Sequence, residues 1–260
     1  MSESGLTFLS EKHPHERDER IKFEEEGHKY TIDGECGKYT SVTTVVHRQF
    51  EHFDADRIID NMMASPKWPN NKKYFGKTKE EIKKMWDDNR DEAAAAGTKM
   101  HYDIECYYNN CPKENDSIEY QYFKNFLMFT DLLEGDEKLT PYRTEWTVFD
   151  EDLGLAGSID MCFMKGDGTI AIYDWKRSKE IKKSSYFIKY SHNPVLSHIP
   201  DLNYWHYSLQ LNVYKGILER KYGMKVSDMY LVCLHPNHKN YQRIKVNPMT
   251  VEIDGLFKSL

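Results

Sequence analysis

The spacing of apolar residues changes along the chain between a helical period and strict alternation, and each change marks a predicted element. From residue 79 to about 109 nothing breaks a helix except Gly97, and Thr78 with Glu81 forms a capping box at its start. The same period predicts further helices over 42–50, 54–64, 117–134, 203–222 and from about 249 onward.

Alternation of apolar and polar residues predicts a run of strands in the second half of the chain. Strands are expected over 142–150, 155–164 and 169–177, with a Gly-Asp-Gly hairpin turn at 166–168. Shorter strands are expected near 228–235 and 241–247, and a small hairpin over 21–34 that turns near Gly27. This order of elements predicts an α/β (α+β) fold with a central mixed β-sheet flanked by helices.

The 260 residues are expected to form one domain, or one domain with an insertion. Residues 1–20 are polar, and we expect a flexible N-terminus. Residues 21–95 are expected to form the hairpin and a helical cover, with a loop at 65–77 where two prolines and an Asn pair block regular structure. Residues 96–260 then form the core.

Composition excludes several classes of protein. Aromatic residues make up 13% of the chain, which argues against wholesale disorder. No run of ~18 apolar residues occurs, so no membrane partner is expected, and the N-terminus lacks the apolar segment of a secretory signal. The five cysteines are scattered without a Cys-x-x-Cys pair, which predicts a reducing intracellular compartment, cytoplasm or nucleus, in a cellular, viral or phage setting.

Charge is segregated along the chain, although the net charge is only −6. Residues 66–84 carry seven Lys against two Glu, and residues 176–189 carry six Lys or Arg against one Glu. Residues 85–160 carry 18 acidic against six basic residues. Such segregation permits basic grooves for a polyanion on an acidic protein, and solvated helix faces are the alternative.

The predicted hairpin over 155–177 brings polar residues together. Asp174 and Lys176 are two residues apart, so both side chains point to one face of their strand, and the turn folds Asp160 back toward that face. Trp175 points the other way, into the core. Two adjacent carboxylates repel each other unless a cation lies between them.

Carboxylate oxygens suit Mg²⁺ or Mn²⁺, which keep water ligands and bind phosphates. The ammonium of Lys176 could stabilise charge on a phosphate, or help to deprotonate the attacking water if the cation lowers its pKa. These are the parts that phosphodiester hydrolysis requires. The alternative is an ordinary cross-strand salt bridge on a surface hairpin.

The motifs in and around this hairpin resemble those of the PD-(D/E)xK nuclease superfamily. The match consists of Gly157-Ser158-Ile159-Asp160, thirteen residues, and Asp174-Trp175-Lys176, without the leading Pro. The segments GTKMH (97–101) and QLNVY (210–214), together with Glu145, are similar to further motifs of its RecB-like exonuclease branch, which includes mitochondrial genome maintenance exonucleases. The resemblance covers about 97–235, and residues 1–95 match only loosely, through TSVTTVV (40–46).

The resemblance implies a restriction-endonuclease-like core with an N-terminal helical extension, and a role for each matched residue. The expected metal ligands are His101, Asp160, Asp174 and the carbonyl of Trp175, around one or two Mg²⁺ or Mn²⁺ ions. Lys176 would act at the phosphate, Glu145 would assist through water or a second ion, and Gln210 and Tyr214 would lie beside the site. No iron–sulfur cluster is expected, since the cysteine set of related nucleases is missing, and no ATP, since no Walker A motif occurs.

DNA is the expected partner, and the basic segments are the candidate contacts. Interleaved aromatic and basic residues suit single strands, whose bases can stack. Tyr186, Phe187 and Tyr190 lie among the lysines of the second segment. Gly97 has no side chain, which would let its helix approach the sheet or the DNA backbone closely. The candidate DNA-binding residues are Gly97, Trp68, Lys72, Lys73, Lys77, Arg177, Lys182 and Lys183.

The implied function is a metal-dependent, sequence-independent DNA exonuclease that prefers single-stranded ends. Proteins of DNA replication, repair or recombination are expected partners. A structure-specific endonuclease and a catalytically silent nucleic-acid-binding subunit are the alternatives. The sequence leaves open the polarity, DNA against RNA, the number of metal ions and the oligomeric state.

Overall fold

A computed structural model describes residues 6–24, 26–27 and 29–260. The helices in these ranges are α1 (Phe8–Lys12), α2 (Val42–His47), α3 (Ala55–Ala64), α4 (Lys79–Tyr108), α5 (Ile118–Thr130), α6 (Asn203–Lys221) and α7 (Thr250–Ser259). The strands are β1 (Ile21–Glu24), β2 (Lys29–Ile32), β3 (Glu35–Cys36), β4 (Thr40–Ser41), β5 (Leu139–Asp150), β6 (Leu155–Lys165), β7 (Ile170–Lys176), β8 (Val226–Cys233) and β9 (Gln242–Lys245).

Six strands form a central mixed sheet in the order β4-β6-β7-β8-β9, with β5 paired to β6. β5 runs along the whole of β6, so β4 and β7 must share the opposite edge of β6. On that edge β4 pairs with residues 155–156 and β7 with residues 161–164. Residues 157–160 lie between them at an opening in the sheet, with no strand partner there among the described residues.

Apolar layers cover both faces of this sheet. On one face α2, α6 and α7 pack through buried residues such as Val45, Leu209 and Ile253. On the other face α4 and α5 pack through Ile104 and Phe123, among others, against strand residues that include Trp175. The expected sheet flanked by helices is therefore confirmed, as is the inward orientation of Trp175, which is 1% exposed.

The N-terminal segment differs from the expectation of a flexible tail. Over the described part, α1 and a 3₁₀ turn (Glu16–Arg20) lie against β5, with Leu9 buried. The guanidinium of Arg17 stacks on Phe149 at 4.0 Å and bonds Glu151 at 2.6 Å. A few anchoring side chains hold a segment whose composition is polar. Residues 1–5 lie outside the described residues.

Several element boundaries also differ from the predicted ones. The predicted hairpin at 21–34 is a three-stranded sheet, because β3 adds to β2, and residues 25 and 28 beside its turn are not described. β5 begins at 139 rather than 142 and contains Pro141, which an edge strand tolerates and which coincides with a shift of register. α5 ends at Thr130, ahead of the predicted stop at Gly135.

α4 is 30 residues and about 45 Å long, and its first half leaves the core. There Lys79 and Lys83 bond Asp56 and Asp60 of α3, and Trp86 donates to the hydroxyl of Tyr74 at 2.9 Å. α3, residues 65–78 and the start of α4 therefore form one projecting unit, which we call the arm. No helix of the described residues is both long and apolar enough to cross a bilayer.

The packing of α1 predicts that the N-terminal segment contributes to stability. Leu9→Ala should lower the free energy of unfolding by roughly 2–5 kcal/mol, because a buried leucine leaves a cavity. Phe8→Ala, one residue away and 41% exposed, should cost less than half as much. Urea unfolding of both variants measures the difference, and equal effects would mean that α1 does not pack in solution as described.

Candidate active site

The opening in the central sheet is where the predicted polar residues meet. The β6–β7 ladder ends at the pair Met161–Tyr173, and among the described residues Trp175 has no strand partner on that side of β7. Two side chains take the hydrogen-bonding positions that a neighbouring strand would occupy. The amide of Trp175 donates to Oδ2 of Asp160 at 2.8 Å, and its carbonyl oxygen lies 3.0 Å from Nε2 of His101.

Three side chains from three elements converge beside Trp175. His101 comes from α4, Glu145 from β5 and Asp160 from β6, and one ligand atom of each lies within 4.8 Å of the others. Nδ1 of His101 lies 3.3 Å from Oε1 of Glu145 and 3.7 Å from Oδ2 of Asp160. Cys162 and Ile172, which share the strand face of Asp160 and Asp174, belong to the α6 layer. Asp160 and Asp174 therefore face the α6 side of the sheet, and the opening allows His101, which comes from α4 on the other side, to contact Asp160.

Glu145 has an unusual backbone for its residue type. Its φ is +40°, which non-glycine residues rarely adopt, and it has no register partner between the pairs Thr144–Met161 and Trp146–Ile159. The hydroxyl of Ser158 donates to Oε2 of Glu145 at 3.1 Å and fixes the carboxylate. Such strain persists only where the surroundings impose it, and it concentrates at functional sites.

Asp174 and Lys176 form the second half of the site. Nζ of Lys176 lies 2.7 Å from Oδ2 of Asp174, which is 2% exposed, and 4.7 Å from the ring centre of Tyr207. Asp174, expected to be a metal ligand, is not a member of the group of three, whereas Glu145 is. The ammonium of Lys176 holds the carboxylate of Asp174 in the structure described.

Burial and charge shift the pKa values of four of the polar side chains at the site, those of His101, Asp160, Asp174 and Lys176. Burial alone would lower the pKa of His101, but Asp160 and Glu145 outweigh it and raise the value to about 9. Burial raises the pKa of Asp160, and burial together with Asp160 raises that of Asp174 to about 6, against the opposing effect of Lys176. Burial disfavours the cationic form of Lys176, yet Asp174 and Asp160 raise its pKa above the usual range. These two carboxylates therefore favour the protonated form of Lys176.

The donors around Trp175 fit a divalent cation. Two carboxylates, one imidazole and one peptide carbonyl are a ligand set that Mg²⁺ and Mn²⁺ accept, and the imidazole favours Mn²⁺. Ligands ~2.1 Å from an octahedral ion lie ~3–4 Å apart, so donors already within 4.8 Å of one another need little movement. The proton on His101 must leave before its nitrogen can bind an ion.

Helix α6 lines the site with one face. Burial raises the pKa of Tyr214, which is 3% exposed, and the neighbouring side chain of Gln210 opposes that shift. A Cβ added to Gly157 would lie 2.7 Å from the ring of Tyr214. The predicted pair therefore supports β6 at the opening, and only glycine leaves room for it at 157. Tyr207, three residues before Gln210, lies on the same helical face.

The structure does not gather every predicted DNA-binding residue at the site. Arg177 is held by Glu119 at 2.7 Å, so its guanidinium is already paired. Lys182 lies 3.3 Å from Glu180, and the ammonium of Lys183 lies 4.5 Å from the ring centre of Tyr204. A Cβ at Gly97 would meet nothing within 4 Å, so close packing on the sheet is not the reason for glycine there.

The predicted contacts of the arm lie on its surface. Lys72 and Lys73 are exposed, and Trp68 and Lys77 are half-buried. In the part of the chain that the structure describes, no carboxylate lies within 4 Å of Lys72, Lys73 or Lys77, whereas Lys79 and Lys83 are paired with α3.

Sequence reasoning missed three residues near the site. Ser158 belongs to a matched motif that assigns it no role, whereas its contact with Glu145 gives it one. Tyr207 could have been found from its helical spacing to Gln210. Tyr30, 5% exposed, comes from the N-terminal sheet, and burial and then the charge of Glu145 raise its pKa to about 12. No local signal predicts that this sheet reaches the site.

Comparison with known proteins identifies no family and finds only distant structural similarity. No family model and no curated protein matches the chain. The crystal structure of SSO0001 is 11% identical with a TM-score of 0.33, over 85% of this chain and 72% of that one. A structure from Eubacterium rectale named "putative exonuclease" is 11% identical with a TM-score of 0.36, over 85% and 77%. Similarity at this level carries no argument about this chain.

The raised pKa of His101 predicts that metal binding depends on pH. Below pH about 9 the imidazole must release a proton to bind an ion, so Mn²⁺ affinity should rise up to tenfold per pH unit and level off near pH 9. Titration calorimetry at pH 7.5, in buffers of different ionisation enthalpy, should report about one proton released per ion.

Two variants test the assignment of that proton. His101→Asn should weaken Mn²⁺ binding and lower the proton count, because the imidazole is gone. His206→Asn is the matched control, since His206 is a half-buried histidine bonded to Asp201 outside the site. An unchanged proton count in His101→Asn would show that the proton comes from another group.

Proposed function

We propose that this protein is a Mg²⁺- or Mn²⁺-dependent nuclease of the PD-(D/E)xK type that hydrolyses phosphodiester bonds in DNA. The observation that carries the proposal is the convergence of His101, Glu145 and Asp160 beside the buried Asp174–Lys176 pair. Carboxylates for a hard cation and a fixed ammonium beside them are the two requirements for stabilising a phosphoryl transition state.

Five residues would hold the ion, four of them the ligands expected from the sequence. His101, Asp160 and the carbonyl of Trp175 are the expected ligands that lie together, and Asp174 lies next along the strand. Glu145 would contribute directly or through water, since its carboxylate is held at the site by Ser158. A bound ion would supply a Lewis acid and an acidified water.

Lys176 would stabilise the phosphate rather than act as a base. Its pKa is raised by Asp174 and Asp160, so it keeps its proton at neutral pH. The ammonium is supported by Asp174 on one side and the ring of Tyr207 on another. These contacts hold a positive charge where charge would develop on the phosphate oxygens.

We infer a sequence-independent exonuclease that prefers single-stranded ends. Nothing in the sequence indicates a helix-turn-helix or zinc finger that would read bases. In the part of the chain described, the arm carries lysines without a carboxylate partner, and aromatic rings lie among them: Lys73 lies over the ring of Tyr74 at 5.0 Å, and Phe75 is 54% exposed. Cations with aromatic rings suit a single strand. Its partners would be DNA and proteins of DNA replication, repair or recombination.

A cleavage assay with labelled DNA tests the reaction. Linear single- and double-stranded DNA and circular single-stranded DNA are incubated with Mn²⁺, Mg²⁺ or EDTA. Lys176→Ala should lower kcat by about 10²–10³-fold, the typical cost of losing one transition-state donor. Lys225→Ala, an exposed lysine beyond the opposite end of β7, is the matched control and should match the wild type.

The assay also separates the alternatives. Metal-dependent loss of linear DNA that spares circles supports the exonuclease, and label position gives its polarity. Cutting of circles indicates an endonuclease. Binding without cleavage in either metal would leave the silent binding subunit as the better description.

The arm is tested by reversing the charge of its three lysines that have no carboxylate partner in the described ranges. The combined change of Lys72, Lys73 and Lys77 to Glu should weaken single-strand binding and reduce the steepness of its salt dependence, by about 0.7 for each lost phosphate contact. The matched control reverses Lys12, Lys138 and Lys258, which are exposed elsewhere. Fluorescence anisotropy at several salt concentrations measures both, and identical slopes would remove the arm from the binding surface.

A further inference from the structure

The loop that follows β7 presents two aromatic side chains to solvent. Tyr186 is 92% exposed and Phe187 is 87% exposed, the highest values among the large apolar side chains that the structure describes. Their rings contact each other edge to face at 4.8 Å and 83°. Exposed apolar surface of this kind marks an interaction site. We call residues 184–188 the aromatic tip.

The aromatic tip lies between two points at which the loop is fixed. On one side Asn203 accepts from the amide of Lys182 at 2.8 Å, and Trp205 donates to the carbonyl of Lys183 at 3.0 Å. On the other side Ser191 and Asn193 bond the backbone and side chain of Gln49 at 2.7 Å each. The two exposed rings therefore lie on a short segment that is fixed at both ends.

The tip lies close to the candidate active site along α6. The ammonium of Lys183 lies over the ring of Tyr204, and that of Lys176 lies over the ring of Tyr207, one helical turn further on. One turn of helix is about 5 Å, and Lys183 is three residues from Tyr186. A polymer with a phosphate at Lys176 would extend past the tip within a few monomer units.

The charge around the aromatic tip indicates which kind of polymer would bind there. Lys179, Lys182 and Lys183 lie in the same loop as Glu180, which is 3.3 Å from Lys182, and Lys189 of this loop is paired with Glu51 at 2.6 Å. Four lysines against two carboxylates leave an excess of positive charge. A ligand that satisfies both features carries regularly spaced negative charge and flat apolar faces. Nucleic acid does so, but a duplex hides the faces of its bases except at its ends.

We propose that the aromatic tip is a stacking platform for unpaired bases of the nucleic-acid strand whose phosphate lies at Lys176. This inference rests on the proposed function and deepens it, because it assigns the preference for single strands or ends to two named side chains. The lysines of the loop contact phosphates, and Tyr186 and Phe187 contact bases. The two kinds of residue therefore make separable contributions to binding.

The test compares a normal and an abasic oligonucleotide, by anisotropy in EDTA so that nothing is cleaved. Tyr186→Ala combined with Phe187→Ala should weaken binding of oligothymidylate roughly 5- to 100-fold, the effect of losing one stacked base. The same variant should bind an abasic strand of equal length as tightly as the wild type does. Its salt slope with oligothymidylate should be unchanged.

Two further variants complete the comparison. Lys182→Ala with Lys183→Ala should reduce affinity for both strands alike and lower the salt slope. Leu132→Ala with Val251→Ala removes side chains that are 80% and 78% exposed elsewhere, and is the control for loss of apolar surface. Tyr186→Phe with Phe187→Tyr should retain the affinity of the wild type, because stacking needs only the rings.

The outcomes separate this inference from the proposed function. An equal loss on abasic and normal strands, or no loss on either, overturns the stacking platform. If Lys176→Ala abolishes metal-dependent cleavage in the same preparation, the nuclease assignment stands despite that result. Specific loss on normal strands supports the platform even where no cleavage occurs.

Discussion

The candidate site depends on where the pairing of β6 and β7 stops. Beyond Tyr173 the backbone of β7 has no strand partner on the side of β6, and burial would make the bare amide and carbonyl of Trp175 costly. Asp160 and His101 bond these two groups. The same two bonds that complete the hydrogen bonding of the sheet therefore position two of the proposed metal ligands.

With its three carboxylates ionised, the site reaches charge balance when a divalent ion is counted. Glu145, Asp160 and Asp174 contribute three negative charges when ionised, and Lys176 with a protonated His101 contributes two positive ones. Exchange of the imidazole proton for a divalent cation brings the sum to zero. Burial of unbalanced charge is unfavourable, so the arrangement is less stable than an apolar one and favours the bound ion.

The sequence predicted the parts of the site that depend on strand period and a tight turn. Alternation and the Gly-Asp-Gly turn fold Asp160 back toward the strand of Asp174 and turn Trp175 into the core. In the structure Asp160 accepts from the amide of Trp175, and Trp175 is buried. The positive φ of Glu145 could not be predicted, because nothing local marks a glutamate for that conformation. The buried contacts of Arg17 and the proximity of Tyr30 to Glu145 depend on tertiary packing. The local spacing of apolar residues does not predict such contacts.

The length of α4 ties the arm to the site through the geometry of a single helix. Lys79, bonded to α3, and His101, bonded to Trp175, belong to one uninterrupted helix and are separated by about 33 Å. Successive residues of an α-helix are rotated by about 100° about the helix axis. One residue inserted between them would therefore swing the arm to a different side of the molecule, whereas seven would return it nearly to its present direction and only lengthen its reach. This stretch can accordingly vary in composition far more freely than in length.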